Sequence, residues 1–250
     1  MELQYQHKVT SSALLWLENK VLDKGQAFTN HSGFFYDIKD VYNGRFTYSL
    51  PYQPLVADKS ITSAIIMSGI FLDRTFITSG QSGLTGINYQ KAQVYFISEI
   101  TGANTRISGE YSIADFNVKL TSEPEETLLF ETKHALRPKI TQTITGLQPV
   151  DVTYPVIYVK PFGGRNFPFA LGGTEVDGYN FRLIVMADSQ FKLDGVTSII
   201  KSQTRSMIPL ITGINEMPFT SFGDYANGHY NYKSLLTGRG NTVNSLYLNN

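Results

Sequence analysis

No cysteine occurs in the 250 residues of this chain. Disulfides, thiolate catalysis and thiolate metal sites are therefore excluded. Charge is also scarce, at 17% of residues against about 25% in an average globular protein. Its 21 basic residues balance its 21 acidic ones, so no net field steers the chain toward nucleic acid or an acidic membrane. No apolar run in the sequence approaches the roughly 18 residues of a membrane span. Met1 to Lys8 is polar and lacks the apolar core of a signal peptide. A protein made and folded in the cytoplasm, with no membrane partner, is expected.

Tyr, Thr, Ser, Asn and Gly take the place of the missing charge, while apolar residues make up an ordinary 42%. Such surfaces suit β-rich proteins whose faces are covered by neighbours. A helix is expected from about Ser12 to Lys24, capped by Ser11 or Ser12 and stopped by Gly25. Leu14, Leu17 and Val21 share one face of it, and Trp16, the sole tryptophan, lies beside them as a core or interface residue. A turn-rich β region follows. Asn43-Gly44 signals a tight hairpin, and Ile70–Leu72 and Phe76–Thr78 flank another at Asp73-Arg74-Thr75. Val94–Ile97 and Phe116–Leu120 read as strands, and Arg137–Pro149 as a loop.

The stretch from Tyr154 to Pro209 reads as strand, loop, strand and amphipathic helix. Val156, Tyr158, Phe181, Leu183 and Val185 are expected on the inward faces of the two strands. Asp188 or Ser189 caps the helix, and Leu193, Val196, Ile200 and Met207 recur along it until Pro209. These signals define an α+β fold, with a mixed or antiparallel sheet, two helices packed on it and a β-rich insertion. The core domain is residues 1–25 plus 151–216, the insertion residues 26–150, and an extended C-terminal arm residues 217–250. The arm holds Phe219, Phe222, Tyr232, Leu235, Leu236 and Leu246 without helical or strand periodicity. Those residues are the candidate contacts with another subunit.

Chemistry-bearing patterns are weak. Gly80, Gly83 and Gly86 lack the Gly-Lys-Ser/Thr of a phosphate loop, and Leu84 stands where a nucleophile elbow needs glycine. His7, His31, His134 and His229 have no ligand-like spacing. Glu123, Glu125 and Glu126 read as a solvated turn or as salt-bridge partners. Neither catalytic residues nor a cofactor or metal site is expected. Lys133, Arg137, Lys139, Lys160 and Arg165 form a basic stretch. It could touch DNA passing nearby, since phosphate contact needs only charge in place. The plainer reading makes these residues surface cations or partners of the acidic cluster on a neighbouring copy.

Three stretches carry a resemblance to a known family. Tyr154–Ile211 resembles the strand–strand–helix core of tail terminator (tail-completion) proteins of tailed bacteriophages. Ser12–Asn30, and the segment running from Leu50-Pro-Tyr-Gln-Pro-Leu-Val-Ala-Asp to Gly86-Ile-Asn-Tyr-Gln-Lys-Ala-Gln-Val-Tyr-Phe, are similar to virion structural proteins of contractile-tailed phages. The resemblance implies a non-enzymatic ring, typically a hexamer, that joins the tail tube to the head connector at the neck of the virion. Its partners are then copies of itself together with tail-tube, sheath and head-connector proteins. Rival readings are a head–tail adaptor, a baseplate or sheath-associated protein, and a glycan-binding module of a tail fibre.

Overall fold

The computed structural model describes residues 2–101, 106–131, 134–135, 152–153, 155–168, 175–203, 207–211, 218–219, 228–237 and 245–247. The chain opens with α1 (Glu2–Asp23). This helix begins well before Ser12, because no proline or glycine interrupts the sequence upstream. Ser11 and Ser12 are therefore buried interior positions rather than caps. The Ser12 hydroxyl instead accepts a hydrogen bond from the Ile211 N–H at 3.0 Å. Gly25 follows the last turn, where a Cβ would overlap the Val21 carbonyl.

A two-sheet sandwich follows, built from β1 (Phe28–Phe34), β2 (Tyr36–Tyr42), β3 (Arg45–Ser49), β4 (Gly69–Leu72), β5 (Thr75–Thr78), β6 (Leu84–Asn88), β7 (Gln93–Phe96) and β8 (Ile107–Ala114). One sheet has the order β1-β8-β4-β5 and the other β2-β3-β7-β6, with every pairing antiparallel. Of the four passages between the sheets, two are short: at Phe35, from β1 to β2, and at residues 79–83, from β5 to β6. These two passages join edge strands of the two sheets. Phe35, Tyr48, Ile70, Leu84, Phe96 and Tyr111 fill the space between the sheets. The turns follow the sequence signals. Asn43 and Gly44 both have positive φ (52° and 73°) in a mirror-image hairpin turn. Asp73 and Arg74 adopt the same sign (46° and 73°) without glycine. Asp73 is held there by its carboxylate, which accepts the Arg106 N–H at 2.9 Å.

Asp115 and Phe116 lead from β8 into a third sheet. Its elements are β9 (Asn117–Leu120), β12 (Val156–Pro168) and β13 (Glu175–Met186), in the order β13-β12-β9. β12 is antiparallel to β13 and parallel to β9. Between β9 and β12 lie a π-helical turn (Thr127–Glu131) and the short parallel pair β10 (His134–Ala135) and β11 (Val152–Thr153). After β13 come α2 (Gln190–Ser202), β14 (Met207–Pro209), α3 (Tyr232–Thr237) and β15 (Ser245–Tyr247), with β15 antiparallel to β14. The protein is an α+β fold.

Both α1 and α2 pack on one face of the third sheet, against Ile157, Val159, Phe181, Leu183 and Val185. Val156 and Tyr158 face the other way, with Met186, beneath Leu128. The expected inward set is thus corrected for β12. Pairing sets Ile157 opposite Val185 and Val159 opposite Leu183, and directly opposed residues share a face. Residues 156–159 are apolar and buried on both sides, so alternation offered no choice between them.

Ser189 caps α2, accepting from the Lys192 N–H at 3.4 Å. The helix ends at Ser202, with Gln203 as its C-cap. Met207 is therefore not its last apolar residue but lies in β14, opposite Tyr247. Within α2 only Val196 is buried, and Ile200 is half-buried against the sheet. Ile157→Ala should accordingly cost about 2–5 kcal/mol, and Ile200→Ala less than half as much. Urea unfolding of the two variants checks this ordering. Equal losses would mean that α2 presses more closely on the sheet than described.

Candidate functional site

The most densely bonded polar group in the described part of the chain is Asp58, only 1% exposed. It lies in the segment between β3 and β4, where Asp58-Lys59-Ser60 forms a side-chain turn: Oδ1 accepts the Ser60 N–H at 2.8 Å. The same oxygen accepts the Tyr232 N–H, at the start of α3, at 2.9 Å. Oδ2 accepts from the Asn19 amide of α1 at 3.0 Å and from the Ser60 hydroxyl at 2.9 Å. Around it the Lys59 N–H donates to the Tyr230 carbonyl and the Tyr230 N–H to the Ala57 carbonyl. One carboxylate thus ties together the N-terminal helix, the sandwich and the C-terminal segment. Four donors on a single anion also meet the requirement that a buried charge be hydrogen-bonded.

A groove of about 380 Å³ opens at the joint between β1 and β2. Phe34, Phe35, Tyr36, Asp37, Tyr48, Ile100, Arg106 and Ile107 line it. Phe34 and Tyr36 are 47% and 45% exposed. The Arg106 guanidinium lies 5.6 Å from the centroid of the Phe34 ring. Such a wall can stack on a planar or apolar group and offer it one cation. Asp37 is occupied by its ion pair with Lys39, 2.5 Å away.

The expected interface residues divide into two groups. Tyr232 is 4% exposed and belongs to the core shared by α1, α2 and the third sheet, against which Phe219, Leu235 and Leu236 also pack. Tyr232 is thus buried by its own chain, while Phe219, Leu235 and Leu236 are half-buried against the same core, and α3 gives Tyr232, Leu235 and Leu236 a periodicity that the sequence hides. Leu246 lies in β15, opposite Ile208, and Phe222 lies outside the described residues. Of the basic stretch, Lys133, Arg137 and Lys139 lie outside the described residues. Lys160 sits on β12 opposite Arg182, and Arg165 is placed opposite Gly178. The acidic cluster meets a cation within the chain: Glu125 is 2.5 Å from Arg182.

Gly80 and Gly83 have positive φ (92° and 80°) in the turn from β5 to β6, which opens no helix. His31 stacks between Tyr52 and Tyr111, at 5.5 and 6.3 Å. Among the described residues no group of His, Asp and Glu could hold a metal ion, and no helix is long and apolar enough to cross a membrane. Sequence reasoning missed Asp58 and Asn19. The local Asp-x-Ser signal was present, but the partners lie far away in the chain.

Buried phenols give the frame a pH limit. Burial pushes Tyr111 up to about 12. It also raises Tyr89 and, together with the charge of Asp58, Tyr232. In the folded chain these phenols keep their protons to higher pH than in the unfolded chain, whose tyrosines titrate near 10. Their contribution is therefore complete below about pH 10 and is lost as pH rises beyond it. Urea midpoints should fall between about pH 8 and about pH 11. Unchanged midpoints would mean that these rings are accessible to water.

No family model matches the chain, and no curated protein or solved structure matches it.

Proposed function

We propose that this protein is a non-enzymatic, ring-forming component of a phage neck, a tail terminator that joins the tail tube to the head connector. The reading rests on the sequence resemblance of Tyr154–Ile211 and of the two earlier stretches. The observation that carries it further is the third sheet, whose 12-residue outer strand β13 has no strand on its far side among the described residues. An open sheet edge on a frame tied at Asp58 suits a part completed by its neighbours. Ring closure would cover that edge and keep it from aggregating. Cryo-electron microscopy of the virion neck tests the reading through copy number. Six copies in a ring is the expected result. Twelve would make the protein a head–tail adaptor instead, and no ring would overturn the proposal.

The groove beside Phe34 favours one second reading, a glycan-binding module of a tail fibre, since exposed aromatic rings stack on sugar faces. Glycan-array binding abolished by Phe34→Ala would support that alternative over the neck.

A further inference from the structure

β12 and β13 leave the third sheet as a two-stranded ribbon. β9 covers β12 only along Val156–Val159. From Gly164 to Pro168, β12 pairs with β13 alone among the described residues, beyond a register shift that starts at Pro161. Two strands alone in water are marginal. Phe162, at the shift, is 67% exposed, and a Cβ on Gly163 would meet nothing within 4 Å. Pro161 and Pro168 lack the N–H that a ladder needs, so they bound an edge from Phe162 to Phe167 that is free among the described residues.

The outer side of β13 is the complementary surface. Monomeric proteins blunt edge strands with proline, bulges or charge. From Phe181 to Met186 this strand has no proline and one charge, Arg182, whose guanidinium is engaged by Glu125. The two strands also differ in sign. β12 carries Lys160 and Arg165, while the far end of β13 carries Glu175 and Asp177. Opposite charges across a strand pair stabilise it and like charges oppose it.

We propose that the outer edge of β13 in one copy receives the free edge of β12, Phe162–Phe167, from the next copy. This inference rests on the ring reading and supplies its contact. The two surfaces differ, so the contact is head-to-tail and propagates until a ring closes. Lys160 then serves the neighbouring copy rather than DNA.

The absence of cysteine makes the test clean. Phe162→Cys and Asn180→Cys both replace exposed side chains. The two variants, one of them carrying a size tag, are mixed at a concentration where the wild-type chain assembles and are treated with a short bismaleimide. The expected product is a covalent dimer containing one of each variant, with no dimer from either variant alone. A dimer from one variant alone would establish a symmetric contact and overturn the proposal. If mass photometry finds rings of the wild-type chain but the mixture gives no dimer, this contact is wrong while the ring reading stands. A chain that stays monomeric at every concentration overturns both.

Discussion

A chain ending at Gly223 is expected to lose its cooperative fold. The deletion removes Tyr232, and with it Tyr230, Leu235 and Leu236, from the core between the helices and the third sheet. A large apolar side chain is worth about 1.5–3 kcal/mol when fully buried. Even with the three partly buried residues discounted, the loss reaches about 5 kcal/mol, the lower bound of ordinary domain stability. The Asp58 carboxylate also loses the Tyr232 N–H, and β14 loses β15. Near-UV circular dichroism and urea unfolding of the truncated chain check this. A truncated chain with the full-length midpoint would show that the C-terminal segment does not support the fold, as its sequence alone suggested.

Asp58→Ala is expected to cost about 3 kcal/mol or more. It strands the Tyr232 N–H in a buried position and the Ser60 N–H in a half-buried one, and leaves the Asn19 amide only the Ser60 hydroxyl at 3.2 Å; each buried orphan costs about 1–3 kcal/mol. Asp58→Asn should be much milder, about 1 kcal/mol. Its amide oxygen can take the place of Oδ1 and keep both backbone donors. Its NH2 then faces the Ser60 hydroxyl, which can turn to accept, and the Asn19 amide, which can flip. Thermal unfolding of the two variants separates the cases. Equal damage from both would mean that the negative charge, rather than the hydrogen-bond geometry, holds the knot.

Local signals were the legible part of this fold. Asn43-Gly44 marked its hairpin because positive φ at successive residues demands such a pair. Ser189 marked the start of α2 because a free hydroxyl there meets a backbone N–H. Elements decided by distant contacts were not legible. Met207 falls at helical spacing from Ile200 yet forms a strand, because β15, close to the chain's end, supplies its partner. Ser12 resembles a cap and is instead an interior hydroxyl bonded to Ile211. Tyr230 and Tyr232 had no readable period because their order comes from α1 and Asp58, not from their own segment. Among the candidate contacts, Tyr232 was visible as a residue that must be covered. What covers it, its own chain, was not visible.

The neck assignment is tested most directly by electron micrographs of particles assembled without this protein. Complete heads and complete tails accumulating apart, and joining when the purified protein is added back, is the predicted result. Joined particles of normal appearance in its absence would contradict it.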